Sequence, residues 1–325
     1  MYLVKDLYER HAKKLGLELT AGKEGLNKRI KVPEVQRPGL SLCGYLKNHA
    51  VKRILVFGKV EIEYLRDLEP DVRISRLEAI ITENTPAIIT TRRYRPPKEL
   101  RALAESKLIP LFRTNIKTMN LLSQLTLLLT EDFAPTTSCH GTLVEVFGVG
   151  VLIQGDSAVG KSEAALGLIE RGHRLISDDI VKVKKKEGSH LEGSGVALTR
   201  HLMEIRGIGI INVANLYGAF CVRNQKRIDV VVRLEVWKDD QFYDRIGIQE
   251  KYTTILDIKL PYHKLPVKPG RDVVLLLETI ALNHRLKEMG YNSAQEFHAK
   301  VLELTMAKSR RRRTDIPIMA PIKEN

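Results

Sequence analysis

The chain has 325 residues, of which 43% are hydrophobic and 28% charged, and its formal net charge is +14. The length indicates about two domains, and a composition this ordinary for a globular protein excludes a chain that is disordered throughout. The longest purely apolar stretches, such as 273–277, are far shorter than the roughly 20 residues that a membrane-spanning helix needs, so no membrane association is expected.

The cysteines and the start of the chain indicate a cellular compartment. No basic region followed by an apolar block is present at the start, so no signal peptide is predicted. The three cysteines, Cys43, Cys139 and Cys221, are odd in number and widely spaced. This pattern favours reduced thiols in a cytoplasmic protein over a disulfide framework, and it gives no indication of zinc.

The basic excess makes polyanions plausible partners: nucleic acid, anionic lipid or the phosphates of a nucleotide. Part of this excess is local, since Arg310–Arg313 form a run of four. No aromatic residues interleave with these charges, which argues against nucleic acid as a partner. A basic, flexible tail is therefore predicted over 309–325.

The first part of the chain, 1–132, alternates strand and helix patterns, which predicts an N-terminal α/β domain. Apolar runs rich in β-branched residues predict strands at 53–58, 79–82 and 87–91, and leucine spacing predicts a helix over 118–129. None of these residues has the type or grouping of a catalytic site. We expect a regulatory or assembly role for this domain.

A stretch that contains Pro135 breaks the periodicity, and a second domain is predicted over 133–308. It opens with two predicted strands and later contains a strong β-branched run and a long amphipathic helix that ends at Gly290. The corresponding segments are 141–147, 150–154, 230–236 and 272–289.

A phosphate-binding loop is predicted between the second of these strands and a helix. The pattern G-x-x-x-x-G-K-S is matched by Gly155, Asp156, Ser157, Ala158, Val159, Gly160, Lys161 and Ser162. Glycines let consecutive backbone N–H groups turn towards phosphate oxygens, the lysine offers a charged donor, and the serine offers a hydroxyl to Mg²⁺. The predicted helix over 162–171 would aim the positive end of its dipole at the phosphates.

Carboxylates after the loop are candidates for metal binding and proton transfer. Asp178 and Asp179 end the apolar strand 175–177, beside the predicted phosphate loop. Successive residues of an extended chain point to opposite faces, so one aspartate is expected to face the phosphate unless the strand has ended. Glu204 lies between apolar neighbours, and a buried acid there needs either a metal or a partner such as Arg206.

Three further features complete the candidate site. His140 stands at the start of a strand, where an imidazole beside the phosphate loop could carry a proton near neutral pH. Arg245 lies on a predicted loop and could stabilise phosphoryl charge, although a surface role is the alternative. The stiff, basic segment 266–271 could hold phosphate or serve as a connector.

These motifs together closely resemble those of the HPr kinase/phosphorylase family. The resemblance covers about residues 1 to 310 and is most specific between His140 and Arg271. The segments that carry it are 138–144, 148–163, 171–179, 203–212 and 266–271, with a looser match at 53–58 and 63–65.

The resemblance implies an activity and its cofactors. Members phosphorylate a serine of HPr, the phosphocarrier of the sugar phosphotransferase system, with ATP or pyrophosphate, and they remove the phosphate by phosphorolysis with inorganic phosphate. Carried onto this chain, the phosphate loop binds the nucleotide, Lys161 stabilises the transferred group, and Ser162 and Glu204 hold Mg²⁺.

The resemblance also implies the proton carriers and the assembly. Asp179 takes the proton from the substrate serine and returns it in reverse, with Asp178 beside it, while His140 and Arg245 assist at the phosphate. The loop 266–271 serves mainly dephosphorylation. Members are hexamers, and their kinase domain resembles phosphoenolpyruvate carboxykinase.

One position departs from the family pattern, because Ala158 stands where many members have glycine. The methyl group restricts φ but removes no N–H, so phosphate binding is expected to survive. The alternative functions left open are a P-loop NTPase that acts on nucleic acid or another partner, a nucleotide sensor without catalysis, and a small-molecule kinase.

Overall fold

The computed structural model describes residues 2–47, 49–186, 190–241 and 249–314, with side chains up to 306. Arg245 therefore lies outside the described residues. The chain divides into two compact units, Met1–Ala134 and Pro135–Asn325, and each mixes helices with strands. The expectation of two α/β domains is confirmed.

The described strands of the first unit form one five-stranded sheet in the order β1-β5-β4-β3-β2. Only β1 runs antiparallel to its neighbour. The strands are β1 (Glu18–Ala21), β2 (Val35–Gln36), β3 (Ile54–Phe57), β4 (Ile88–Thr90) and β5 (Leu111–Arg113). The helices are α1 (Val4–Leu15), α2 (Gly39–Leu42), α3 (Lys59–Asp67), α4 (Pro70–Ile80), α5 (Lys98–Ser106) and α6 (Thr118–Phe133).

This sheet buries both of its faces under helices. Side chains alternate along β3, so Ile54 and Val56 belong to a core with α1 and α6, whereas Leu55 and Phe57 belong to a core with α3, α4 and α5. A parallel sheet covered on both sides explains why its strands have continuous apolar runs.

The predicted strand at 79–82 is wrong. Pro70 occupies the first turn of α4, and the helix continues to Ile80, which is fully buried. The N–H of Ile81 still donates to the carbonyl of Leu77 at 2.9 Å. A short apolar run with β-branched residues looks the same in the last turn of a buried helix as in a buried strand, so periodicity alone could not separate the two.

The second unit is a sandwich with helices on one side. Its described strands form a six-stranded sheet (β16-β17-β15-β8-β7-β9), a four-stranded sheet (β14-β11-β10-β6) and the hairpin β12-β13. The strands are β6 (Thr136–His140), β7 (Thr142–Val146), β8 (Val149–Gly155), β9 (Arg174–Ser177), β10 (Ile180–Lys186), β11 (His190–Gly195), β12 (Leu202–Ile205), β13 (Gly209–Asn212), β14 (Gln225–Arg227), β15 (Val230–Val236), β16 (Tyr252–Ile255) and β17 (Ile258–Val267). The helices are α7 (Lys161–Glu170), α8 (Val213–Tyr217), α9 (Val273–Glu288) and α10 (Ser293–Thr314).

Two cores hold these layers together. Leu143 and Leu152 of the six-stranded sheet pack with Val181 of the four-stranded sheet, in a core between the sheets. On the opposite face of the six-stranded sheet, Leu168 of α7 and Leu277 of α9 belong to a second core. The strand predicted at 230–236 and the helix predicted at 272–289 are confirmed as β15 and α9.

Three parallel strands bring their carboxyl ends to one edge of the larger sheet. β15 pairs in parallel with both β8 and β17. Ligands of open α/β sheets bind at such an edge, outside the carboxyl ends of the strands. The segments that leave β8 and β17 there are the phosphate loop and the basic loop 266–271.

Candidate active site

The phosphate loop connects β8 to α7, as its sequence pattern predicted. Gly155 ends β8 with a φ of 148°, and Gly160 has a φ of 97° immediately before α7 begins at Lys161. A Cβ at Gly155 would lie 2.6 Å from the carbonyl oxygen of Leu234, so only glycine fits against the neighbouring strand. Ala158 also adopts a left-handed φ of 69°.

Side chains hold the loop from two directions. The Lys161 ammonium donates to the carbonyls of Gly155 (3.0 Å) and Asp156 (2.9 Å), so it reaches back across the loop. The Arg233 guanidinium, on the adjacent strand β15, donates to the Asp156 carboxylate at 3.1 Å. These contacts place a lysine and an arginine at the same loop.

Asp178 lies next to the first turn of α7 and is 7% exposed. Its carboxylate accepts a hydrogen bond from the Ser162 hydroxyl, whose Oγ is 3.0 Å from Oδ2 and 3.2 Å from Oδ1. The hydroxyl of Thr142 donates to Oδ1 at 2.6 Å. Among the described residues, Asp178 has no ion pair with a lysine or arginine, and the hydroxyls of Ser162 and Thr142 donate to its carboxylate.

Asp179 has the opposite environment, because its side chain is 80% exposed. The strand ends at Ser177, and Asp179 turns away with a left-handed φ of 63°. Its carbonyl accepts from the N–H of Gly141 at 2.9 Å, and its carboxylate lies 3.8 Å from Nδ1 of His140. The two aspartates thus present one buried and one exposed carboxylate on the same turn.

The donors around Ser162 suit a hard cation. A serine hydroxyl and a nearly buried carboxylate without a cationic partner are oxygen groups of the kind that Mg²⁺ prefers. In the described part of the chain, no group of three or more His, Cys, Asp or Glu residues could hold a metal by itself.

The comparisons with known proteins cover nearly the whole chain. Residues 131–301 match the family model described as HPr Serine kinase C-terminal domain, and residues 3–129 match HPr Serine kinase N terminus. The HPr kinase/phosphorylase of Geobacillus kaustophilus is 43% identical over 91% of this chain and 94% of its own length. That of Listeria monocytogenes serotype 4a is 44% identical over 90% of this chain and 93% of its own.

The chain belongs to the HPr kinase family. The resemblance inferred from the motifs is thereby confirmed. Among solved structures, the Hpr(Ser) kinase/phosphatase of Coxiella burnetii is 37% identical and covers 50% of this chain and 98% of that chain, with a TM-score of 0.45.

Glu204, which the HPr kinase resemblance marks as a metal ligand, is not the buried acid that its apolar neighbours suggested. Met203 and Ile205 are buried, but Glu204 points outwards from β12 and is exposed. The alternating pattern was that of a strand with one face in the core, so the middle residue lies on the other face. Among the described residues Glu204 has no ion pair, and Arg206 instead donates to the Ser157 hydroxyl of the phosphate loop at 3.2 Å.

A hydrogen bond joins the two ends of the basic loop 266–271. The Arg271 guanidinium donates to the carbonyl of Pro266 at 2.9 Å. The Lys268 ammonium lies 5.5 Å from the centre of the Trp237 ring, close enough for a cation–π contact.

No helix in the described residues has both the length and the apolar character to cross a membrane.

The sequence did not indicate that two residues, Thr142 and Arg233, belong to this site. Thr142 and Arg233 lie in apolar strand runs, where a single polar residue does not indicate which site it faces. Only the pairing of β7 and β15 with β8 brings them to the phosphate loop region.

Proposed function

We propose that this chain is a bifunctional serine kinase/phosphorylase of HPr. It transfers a phosphoryl group from ATP, or from pyrophosphate, to a serine of HPr, and removes that group by phosphorolysis. The observation that carries the proposal is the turn at Asp178 and Asp179, which holds one carboxylate against Ser162 of the phosphate loop and leaves the other exposed.

The phosphate loop binds the polyphosphate of the donor. Backbone N–H groups between Gly155 and Ser162 surround its oxygens, aided by the N-terminus of α7. Lys161 exchanges its contacts with the two loop carbonyls for the β- and γ-phosphates, since a charged acceptor is the stronger partner.

Mg²⁺, when bound, neutralises charge on the phosphates and on the group in transfer. Ser162 and Glu204 would hold it. Asp178 orients the Ser162 hydroxyl through the hydrogen bonds described above.

Asp179 serves as the proton carrier. In the kinase direction the serine Oγ attacks the terminal phosphorus, the bond from that phosphorus to the bridging oxygen breaks, and the Oγ proton passes to the Asp179 carboxylate. In the phosphorylase direction an oxygen of inorganic phosphate attacks the phosphoserine phosphorus. The serine oxygen leaves with the proton from Asp179, and pyrophosphate forms.

The exposed position of Asp179 suits a protein substrate. A carboxylate that is 80% exposed is open to a serine on the surface of another protein, whereas Asp178 is not. His140, whose Nδ1 lies 3.8 Å from the Asp179 carboxylate, and Arg245 are proposed to assist at the phosphate. The loop 266–271, at the same sheet edge, is proposed to serve phosphorolysis.

Several finer features are part of the same proposal. They are a homohexameric assembly, a cytoplasmic location, and a kinase domain related in fold to phosphoenolpyruvate carboxykinase. The assembly and the fold relationship rest on the motif resemblance, and the location rests on the cysteine pattern.

A labelled-phosphate assay tests the function. Purified protein is incubated with γ-labelled ATP and Mg²⁺, and with HPr, a metabolite pool or DNA as alternative acceptors or effectors. We expect label on HPr and none on an HPr whose acceptor serine is replaced by alanine. Phosphorylated HPr with inorganic phosphate should release pyrophosphate.

Other outcomes would favour the alternatives. ATP turnover without acceptor, stimulated by DNA and falling with salt, would indicate a nucleic-acid-dependent NTPase. Label on a metabolite instead of HPr would indicate a small-molecule kinase. Nucleotide binding without any transfer would indicate a sensor.

A further inference from the structure

Thr142 is a buried polar residue whose hydroxyl has one hydrogen-bond partner in the described part of the chain, the Asp178 carboxylate. Its exposure is 0%, and its hydroxyl donates to Oδ1 of Asp178 at 2.6 Å. A hydrogen bond from a hydroxyl to a carboxylate at this distance is of the strong, charge-assisted kind.

The strand that carries Thr142 is fixed on both sides. β7 lies between β8 and β9, with Thr142 opposite Ile153 and Leu143 opposite Ser177. A β-branched side chain has restricted χ1, so the Thr142 hydroxyl is held in place by the sheet. Asp178, by contrast, follows the end of β9 and has no strand pairing of its own.

Two hydroxyl groups of the described residues donate to Asp178, and their contacts with the carboxylate differ. Ser162 contacts both carboxylate oxygens at 3.0 and 3.2 Å, which does not favour one rotation of the carboxylate over another. Thr142 contacts Oδ1 alone. The short bond from Thr142 therefore holds one oxygen of the carboxylate in place, and with it the position of the group that accepts from Ser162.

We propose that Thr142 is a positioning residue for the metal half of the site: it fixes Asp178, which fixes the Ser162 hydroxyl, and so tightens Mg²⁺ binding with the nucleotide. The inference rests on the proposed function in one respect, the assignment of Ser162 as a metal ligand. Groups that orient a metal ligand affect metal affinity although they do not touch the metal.

The test is Thr142→Val, which keeps the shape of the side chain and removes the hydroxyl. Binding of a fluorescent ATP analogue is titrated with Mg²⁺ in the full chain, without HPr. We expect the Mg²⁺ concentration for half-maximal binding to rise about tenfold, the lower end of the range for such a partner. Nucleotide binding in excess EDTA should be unchanged, and Thr142→Ser should restore the wild-type Mg²⁺ dependence.

Thr90→Val is the matched control. Thr90 is also fully buried, and its hydroxyl donates to the carbonyl of Phe112 at 3.3 Å in the other unit, so its loss should leave the Mg²⁺ titration unchanged. If Thr142→Val does not fold, Thr142→Ala removes the same hydroxyl without adding a methyl group.

The inference is overturned if the Mg²⁺ midpoint of the hydroxyl-free variant equals that of the wild type. It is also overturned if Thr142→Ser is as defective as Thr142→Val, or if binding falls equally with Mg²⁺ and with EDTA. Because HPr is absent, a chain that fails to phosphorylate HPr would still give a clear result here. Failure of the proposed function is thus distinguishable from failure of this inference.

Discussion

Ala158 and Asp179 both have left-handed backbone conformations in the candidate site, with φ of 69° and 63°. This region costs an ordinary L-residue roughly 1–2 kcal/mol, less for Asp and Asn, whose side chains tolerate it. A substitution could therefore relieve the backbone strain at Ala158, whereas the backbone strain at Asp179 is small because aspartate tolerates this conformation.

Replacement of Ala158 by glycine should stabilise the second unit. Glycine adopts the observed φ without a Cβ clash, and we expect the free energy of unfolding to rise by about 1 kcal/mol, measured by thermal and urea unfolding. The same substitution at Ala165, fully buried in α7, serves as the control and should lower it. A loss of stability in Ala158→Gly would contradict the strain argument.

At the scale of elements, Glu278 of α9 bonds to the residues that follow the C-terminus of α7. Its carboxylate accepts from Arg171 at 2.8 Å and lies 2.9 Å from Nε2 of His173. Burial opposes ionisation, but the hydrogen bonds from His173 and Arg171 outweigh it and hold the pKa of Glu278 below its ordinary value. Ionised Glu278 therefore favours the folded state.

We expect Glu278→Gln to lower the free energy of unfolding by about 1–3 kcal/mol at neutral pH, because charge-assisted hydrogen bonds are lost. The contribution is complete above the ordinary pKa of a glutamate and disappears as pH falls through the lowered folded value. The difference between wild type and variant should therefore shrink on acidification, as followed by unfolding at several pH values.

Glu288→Gln is the control on the same helix. That side chain is 54% exposed and lies 3.6 Å from His284, so it should change stability by less than about 1 kcal/mol. A Glu278→Gln defect that is independent of pH would show that packing, and not charge, accounts for its effect.

The sequence predicted some elements correctly and others wrongly, and the difference has a physical reason in each case. The order strand, phosphate loop and helix followed from a pattern whose residue types the chemistry demands, and β8 and α7 confirm it. The helix at Ile80 was misassigned, because a short apolar run lacks a period that distinguishes helix from strand. Glu204 was expected to be buried, because apolar neighbours alone do not tell which face of a strand a residue occupies.

Contacts between residues that are distant in the sequence could not be predicted from it either. Thr142 reaches Asp178 across a sequence separation of 36 residues, and only the pairing of β7 with β9 brings them together. The residue types of the site were readable from the sequence, whereas the split into a buried and an exposed aspartate depended on where β9 ends.

At the scale of the whole molecule, the described site residues all lie in the unit Pro135–Asn325, which has its own cores. We expect a chain of residues 135–325 to fold and to bind ATP with Mg²⁺ with an affinity within about twofold of the full chain, because the described site residues and the cores that hold them belong to this unit. Fluorescent nucleotide titration of both forms measures this. A large loss would assign the first unit a direct part in the site.

The net charge of +14 belongs to the whole molecule, and it does not by itself define a function. It attracts polyanions at low salt, an effect that counterion release weakens as salt rises. Phosphotransfer to HPr, which depends on the local site, should persist at salt concentrations that abolish polynucleotide binding.

The central claim is that Asp179 accepts the proton of the HPr serine in the kinase direction and returns it to the serine oxygen in the phosphorylase direction. Asp179→Asn keeps a residue that tolerates the left-handed conformation, so the fold and nucleotide binding should be retained. Single-turnover transfer from labelled ATP to HPr, and release of pyrophosphate from phosphorylated HPr, are measured in the variant and the wild type. We expect both rates to fall by at least about 100-fold, the range for loss of a general base, with ATP binding unchanged. Wild-type rates in either direction would contradict the claim.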